Sequence, residues 1–181
     1  MKRCRWANEN NSLYLKYHDE EWGEETHDDK ILYELLLLES FQAGLSWECI
    51  LNKREDFRKA YDNFDIDKVI NYNQDKINEL MNNKKIIRNR LKIKSSIENS
   101  KVFKAIQKEY GSFDKYIWSF TNNKIMYLDF EISKNSLSDE ISKDLKKRGM
   151  SFVGTTIIYS YLQAIGIINS HEKCCFKYKK C

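Results

Sequence analysis

Glu39 stands apart from the other acids of this 181-residue chain because of its neighbours. On a helix running from Lys30, the positions three and four away are Leu35, Leu36, Gln42 and Ala43, with Leu32 further back on the same side. That face is mostly apolar. A carboxylate buried there without a partner is costly, and its pKa rises. Such a group holds a donor from a ligand, pairs with an arginine, or reaches solvent at the helix edge. Glu34 and Glu48 fall nearer the other side and read as ordinary exposed acids.

Trp6, Tyr14, Tyr17, Trp22 and Trp47 lie in the first 47 residues, close to Glu39 in the chain. With residues 12–18 helical, Tyr14 lies three positions from Tyr17 and four from His18, so the three share a face. Clustered flat rings grip a flat ligand by stacking. The same rings also serve as plain core.

Cys4 and His18 sit near the start of the chain, and His171, Cys174 and Cys175 near its end. His171 and Cys175 have the spacing of neighbours on a helix, which lets two ligands face one ion. Two cysteines with two histidines make a closed tetrahedral zinc set, and a closed set is structural. It would clip the two ends together. The alternative is a group of unrelated cysteines in a polar tail, and Cys174 competes for the ligand position. Cys49 lies in an apolar run and is expected to pack. Neither Cys181 nor His27 is assigned a role.

Residues 84–94 interleave cations with apolar residues: Lys84, Lys85, Arg88, Arg90, Lys92 and Lys94 alternate with Ile86, Ile87, Leu91 and Ile93. The apolar residues anchor such a segment while the cations reach a phosphate backbone. Lys143, Lys146, Lys147 and Arg148 form a second cluster before Gly149. Cations at a helix end also suit the helix dipole, and charge runs are often solvated faces.

Helices are the elements that must position these groups. The chain has no proline and six glycines. Ser12 is placed as the cap of a short helix through His18, and Asp28 or Asp29 as the cap of a long one reaching the Gly44 region. Shorter helical pieces fit residues 56–61, the surroundings of Val69, and residues 75–80. A long helix over 93–110 stops at Gly111, another over 138–148 stops at Gly149, and residues 155–168 are apolar on most sides, as in a buried central helix. Strand alternation is weak, with residues 124–130 the best and discounted case. The fold class read from this pattern is all-α, as one domain over 1–181.

Composition narrows the class further. Thirty-one basic against 27 acidic residues give a net charge of +4, which permits an anionic partner without demanding one. The first ten residues have no apolar core, so no secretory signal is expected there. The greasiest stretch, 31–51, carries Glu34, Glu39 and Glu48, and each acid at mid-bilayer would cost about 2.5–3.5 kcal/mol. Five cysteines argue for free thiols or metal binding over a disulfide framework. A cytoplasmic, monomeric protein with no membrane contact is expected.

Five ordered blocks carry a resemblance. They are Arg3-Cys4-x-Trp6, Tyr14-x-x-Tyr17-His18-Asp19-x-Glu21-Trp22-Gly23, Leu38-Glu39-x-x-Gln42-Ala43-Gly44-Leu45-Ser46-Trp47, Ile86-Ile87-Arg88-Asn89-Arg90-x-Lys92-Ile93, and Lys146-Lys147-Arg148-Gly149-x-x-Phe152-Val153-Gly154-Thr155-Thr156. Together, from Arg3 to Cys175, the chain resembles the bacterial DNA-3-methyladenine glycosylase I family of base-excision repair enzymes.

The resemblance implies an all-α, helix–hairpin–helix glycosylase fold whose termini are joined by one structural zinc ion on Cys4, His18, His171 and Cys175. It implies hydrolysis of the N-glycosidic bond of 3-methyladenine in alkylated double-stranded DNA, leaving an abasic site and free 3-methyladenine. The resemblance implies Glu39 as the catalytic-site residue, through its recognition of adenine. Tyr17 and Trp47 hold the base, with Trp6, Tyr14 and Trp22 nearby. Arg88, Arg90 and Lys92 lie in the segment that corresponds to the DNA-binding hairpin, which here has Lys84, Lys85 and Leu91 where glycines are common. The family lacks the aspartate that related glycosylases use, and no strand-cleaving lysine is expected, so the activity implied is monofunctional. The alternative is a zinc-stabilised DNA-damage binding module without turnover.

Overall fold

Asparagine, aspartate and serine set most helix starts. In the computed structural model, which describes residues 1–179, the Asn11 side chain accepts from the backbone N–H of Leu13 and Tyr14 and so opens α1 (Ser12–Glu20). Ser12, expected as that cap, is instead the first helical residue. Asp28 opens α2 (Asp29–Gln42) in the same way. Ser46 opens α3 (Trp47–Leu51), and α4 (Arg54–Ala60) follows without a side-chain cap. Asp65 caps α5 (Ile66–Val69), Asn73 caps α6 (Gln74–Asn82) and Asn89 caps α7 (Arg90–Tyr110), which ends at Gly111. Ser112 opens α8 (Phe113–Ser119). Asn135 opens α9 (Ser136–Lys147) through a capping box with Ser138. The last helix is α10 (Thr155–Ala164). Cys181 lies outside the described residues.

α2 is the axis of the molecule. Residues 32–41 are all buried, and the helix packs against α10, α7, α3 and α8. Its apolar ring of side chains belongs to one hydrophobic cluster that runs from Cys4 to Cys175. Among the described residues no helix is long and apolar enough to cross a membrane.

The all-α expectation holds as a mostly helical fold, with two departures. The helix expected over 155–168 stops at Ala164. Gly166 adopts φ +79°, and a Cβ there would lie 2.4 Å from the backbone of Glu24, so the chain must turn where it passes that segment. Beyond the turn, β2 (Ile168–Asn169) pairs in parallel with β1 (Met126–Tyr127), inside the stretch discounted as a strand. α3 and α8 were not foreseen.

α7 carries a buried polar stripe. Lys92, Ser96, Asn99 and Ser100 are buried along it. Ser96 meets the Tyr61 hydroxyl at 3.0 Å and Ser100 the Tyr33 hydroxyl at 2.6 Å. Asn99 donates to Ser151 O at 2.8 Å and accepts from Ser151 N at 2.9 Å. These pairs lock α7 to the α4–α5 region, to α2 and to the loop before α10.

Candidate active site

Glu39 and Gln42 occupy the last turns of α2, Tyr14 and Tyr17 project from α1, and Trp47 opens α3. Trp6 precedes α1 and Trp22 follows it. The rings make one connected group: Tyr17 and Trp47 have centroids 5.3 Å apart, Trp6 and Tyr14 5.1 Å, Trp6 and Tyr17 6.4 Å, and Trp6 and Trp22 4.9 Å. All five expected rings therefore come together.

Glu39 is 2% exposed, and its Oε2 has no hydrogen-bond partner. The edge-of-helix and arginine-paired alternatives both fail. Burial holds its carboxyl well above the usual carboxylate range. Burial pushes the Tyr14 phenol up to about 12, with the Glu48 and Glu39 charges adding to it. Tyr17 rises further, through burial first and the Glu39 charge second. Both hydroxyls are thus protonated donors at neutral pH, in the electrostatic range of Glu39. Three more buried atoms in this region are unpartnered: the indole Nε1 of Trp6 and of Trp47, and Gln42 Oε1. Sequence reading placed Gln42 only as a neighbour of Glu39.

The end of α2 is held by a residue expected elsewhere. Lys92 is buried, and its Nζ donates to Phe41 O at 2.8 Å and Ala43 O at 2.5 Å. It satisfies carbonyls that the helix end leaves open. This corrects the expectation of a phosphate contact: the ammonium points inward, because α7 begins at Arg90 and turns Lys92 onto its buried face. Gly44, at φ +79°, then lets the chain reverse into Ser46 and Trp47. Arg88 and Arg90 are exposed, as are Lys84 and Lys85. In the second basic cluster Arg148 is engaged by Glu109 at 2.6 Å and Asp144 at 2.7 Å.

Glu34 also departs from expectation. It is buried, and its Oε1 accepts from Arg54 Nε at 2.5 Å and Arg58 Nη2 at 2.7 Å. α4 covers the side of α2 that reads as solvent-facing. Arg54 reaches on to Glu21 at 2.6 Å, tying the end of α1 to α2. Glu48 is half-buried and accepts from Asn8 and Asn11, each at 2.8 Å.

Cys4, His18, His171 and Cys175 form a second buried centre, with one ligand atom from each all within 4.8 Å of one another. Cys4 Sγ lies 3.4 Å from His171 Nδ1, and Cys175 Sγ lies 3.5 Å from both His171 Nδ1 and His18 Nε2. The remaining ring nitrogens have partners that assign their tautomers: His18 Nδ1 faces Asp19 at 2.8 Å and His171 Nε2 faces Trp22 O at 3.2 Å. Arg3 in turn clamps Asp19, holding that carboxyl at about 2. Burial pushes the Cys4 thiol up to about 12 and the His171 imidazole down to about 4. The first shift is one that a cation at the centre would reverse; the second keeps a neutral nitrogen free to ligate. Residues 171–175 form a turn closed by Cys175 N to Glu172 O at 2.8 Å, not the helical turn their spacing suggested. Cys174 points away, exposed, toward Glu172.

Two wider surface clefts lie apart from Glu39 and its rings, the first lined in part by His171 of the second centre. One of about 970 Å³ runs between residues 127–132 and the C-terminal segment, and another of about 550 Å³ is lined by residues 62–66 and the start of α2.

Known proteins match this arrangement over nearly its whole length. The sequence model of the family described as methyladenine glycosylase matches residues 6–178. The DNA-3-methyladenine glycosylase 1 of Escherichia coli is 40% identical over 183 residues, covering 97% of each chain. A crystal structure of 3-methyladenine DNA glycosylase I superposes with a TM-score of 0.94 at 37% identity, over 98% of this chain and 100% of that one. A tyrosine-to-phenylalanine variant of 3-methyladenine DNA glycosylase I, crystallised in complex with 3-methyladenine, gives a TM-score of 0.93 at 34% identity, covering 99% of both. With a buried carboxylate beside a cluster of packed rings and matches of this extent, the chain belongs to the methyladenine glycosylase family.

Proposed function

We propose that this chain removes 3-methyladenine from alkylated double-stranded DNA by hydrolysing the N-glycosidic bond, leaving an abasic site. The observation that carries the reading is Glu39, an unpartnered buried carboxyl within electrostatic range of Tyr14 and Tyr17, whose rings pack with Trp6 and Trp47. Relatives named for this activity, and one structure that holds 3-methyladenine, support it.

A damaged base inside a duplex is out of reach, so the nucleotide must leave the stack. Arg88, exposed before α7, and Arg90, exposed at its first position, would hold phosphates while it does; we read this segment as the DNA-binding hairpin that the family resemblance implies. Methylation at N3 leaves the base cationic in DNA. Stacking on Trp47 and the adjoining rings favours a cation by about 0.5–2 kcal/mol. Glu39 accepts from the exocyclic amine, which adenine has and guanine replaces with an acceptor oxygen. The carboxylate also balances the positive charge of the damaged base, a normal base having none. When the C1′–N9 bond breaks, its electron pair neutralises the departing base. Water adds its oxygen to C1′ and its proton goes to solvent. No side chain is assigned to activate that water, since the leaving group is already good and the pocket's work is selection.

Cys4, His18, His171 and Cys175 fit a structural zinc ion. A zinc tetrahedron with bonds of about 2.3 Å to sulfur and about 2.0 Å to nitrogen has nitrogen–sulfur edges of roughly 3.5 Å, the spacing found between these atoms. The hydrogen bonds to Asp19 and Trp22 O orient both imidazoles for that role. The ion would supply stability, not chemistry. The chain then works as one monomeric domain in the cytoplasm.

The test is to incubate the purified protein with methylated duplex DNA and chromatograph the released bases. Release of 3-methyladenine, with 7-methylguanine left in place, is expected. Tight binding with neither base released would replace the enzyme by a damage-binding module.

A further inference from the structure

Four of the five buried side-chain polar atoms without a hydrogen-bond partner among the described residues belong to Trp6, Glu39, Gln42 and Trp47. Two are indole N–H donors and two are acceptors. The acceptors, Glu39 Oε2 and Gln42 Oε1, stand three residues apart on α2, which puts them on one face of the helix. The other buried polar side chains of α2 are satisfied: Glu34 by two arginines, Ser40 by Leu36 O, and the Tyr33 hydroxyl by Ser100. Only at the pocket end does the helix leave acceptors unused.

We propose that Gln42 is a second specificity-determining residue, whose carboxamide oxygen accepts one proton of the exocyclic amine while Glu39 accepts the other. The inference rests on the reading of this pocket as a 3-methyladenine site. The chemistry is a matching of counts. An exocyclic amine brings two protons, and a single acceptor leaves one of them dry and unpaired. A carbonyl in its place brings two lone pairs and no proton, and so faces two acceptors with nothing to give. Glu39 alone makes one contact with the amine. The pair makes the amine itself the feature being read.

Gln42 is only half-buried, so its replacement should leave the fold intact. Gln42→Met keeps the length and removes the acceptor; Gln42→Ala serves as the second variant should the methionine repack the pocket. The measurement is the affinity of each protein for two free bases, 3-methyladenine and 3-methylhypoxanthine, the second having a carbonyl in place of the amine and one ring N–H that the first lacks. Loss of one neutral hydrogen bond is expected to weaken 3-methyladenine by about five- to tenfold and to leave 3-methylhypoxanthine unchanged, so the ratio between them falls. Equal weakening toward both bases, in both variants, would make Gln42 a packing residue and overturn the proposal. Unchanged affinity for 3-methyladenine would do the same. Failure of the unaltered protein to bind 3-methyladenine at all would instead remove the reading of the pocket, and the proposal with it.

Discussion

Replacing Glu39 with glutamine takes a charge away from a place that offers it no partner, and the consequences for stability and for function have opposite signs. The carboxyl is 2% exposed, Oε2 accepts nothing, and burial alone raises its pKa. In the unfolded chain it ionises near 4.5. In the folded protein it keeps its proton to higher pH. Stability is therefore full below about pH 4.5 and declines as pH rises toward the folded-state pKa, because the unfolded state gives up its proton first. Glutamine has no such slope. Glutamine is left unsatisfied at the same site but never charged, and burying a charge costs more than burying a neutral polar group, so Glu39→Gln should gain about 1 kcal/mol or more at pH 8. For a chain of this size that is roughly 2–4 °C in Tm per kcal/mol. The same change removes a charged acceptor from the base, worth about 1.5–3 kcal/mol, so release of 3-methyladenine should fall roughly 10- to 100-fold. The assay is a series of thermal melts of both proteins from pH 4 to pH 8, alongside base release from methylated DNA. The two melting curves should coincide near pH 4 and separate as pH rises. A variant no more stable than its parent at pH 8, or a gap that ignores pH, would mean that Glu39 has a partner in the folded protein and that the argument from burial is unsound.

Lys92→Met should cost about 1–3 kcal/mol by stripping a donor from the Phe41 and Ala43 carbonyls, while the salt dependence of DNA binding stays as it was. Arg88→Ala and Arg90→Ala should each lower that salt slope by about one with little change in Tm; a slope that responds to Lys92 instead would contradict the inward orientation. Cys4→Ser should reduce the zinc content measured by elemental analysis and lower the melting temperature, and an unchanged metal ratio would dismiss the four-residue zinc centre. His27 lies between Asp114 at 2.6 Å and Glu25 at 2.9 Å, which raise its pKa, the Glu25 hydrogen bond most. Its contribution is present below the unfolded value of 6.5 and lost as pH rises through the folded one, and at a surface site it amounts to at most about 1 kcal/mol. His27→Gln should thus lose stability at pH 6 and little at pH 9; an equal loss at both would point to packing on Trp118.

The parts of the site that were legible in the sequence are those where a residue contradicts its surroundings. Glu39 among leucines is such a contradiction, and the helix period alone reveals it. The ring cluster was legible as a cluster, but its use as a binding wall came with the family resemblance. What stayed hidden is the reverse case, a polar residue that looks at home in water and is not. Lys92, Ser96, Asn99 and Ser100 are polar residues of α7, and each spends its polar atoms on α2, Tyr61, Tyr33 or the Ser151 loop. Glu34 was misread for the same reason, since its partners Arg54 and Arg58 stand twenty or more residues away. Local pattern sees the helix but not what covers it. Cap identity failed at Ser12 because Asn11, an equally good cap, stands one position earlier.

Tyr17 and His18 are consecutive on α1, one facing the rings of the pocket and the other facing His171 and Cys175. The groups that steady the pocket's first helix are thus among the last to be made. During synthesis, α1 and α2 leave the ribosome early with Glu39 and its rings in hand, but the segment that completes the Cys4–His18 centre, and α10, which packs on α2, are still to come. Until then the apolar flank of α2 has no cover and the aromatic third of the chain has no anchor. A message cut short between residue 47 and residue 155 would therefore yield a chain that holds every residue of the pocket's ring cluster and no finished pocket.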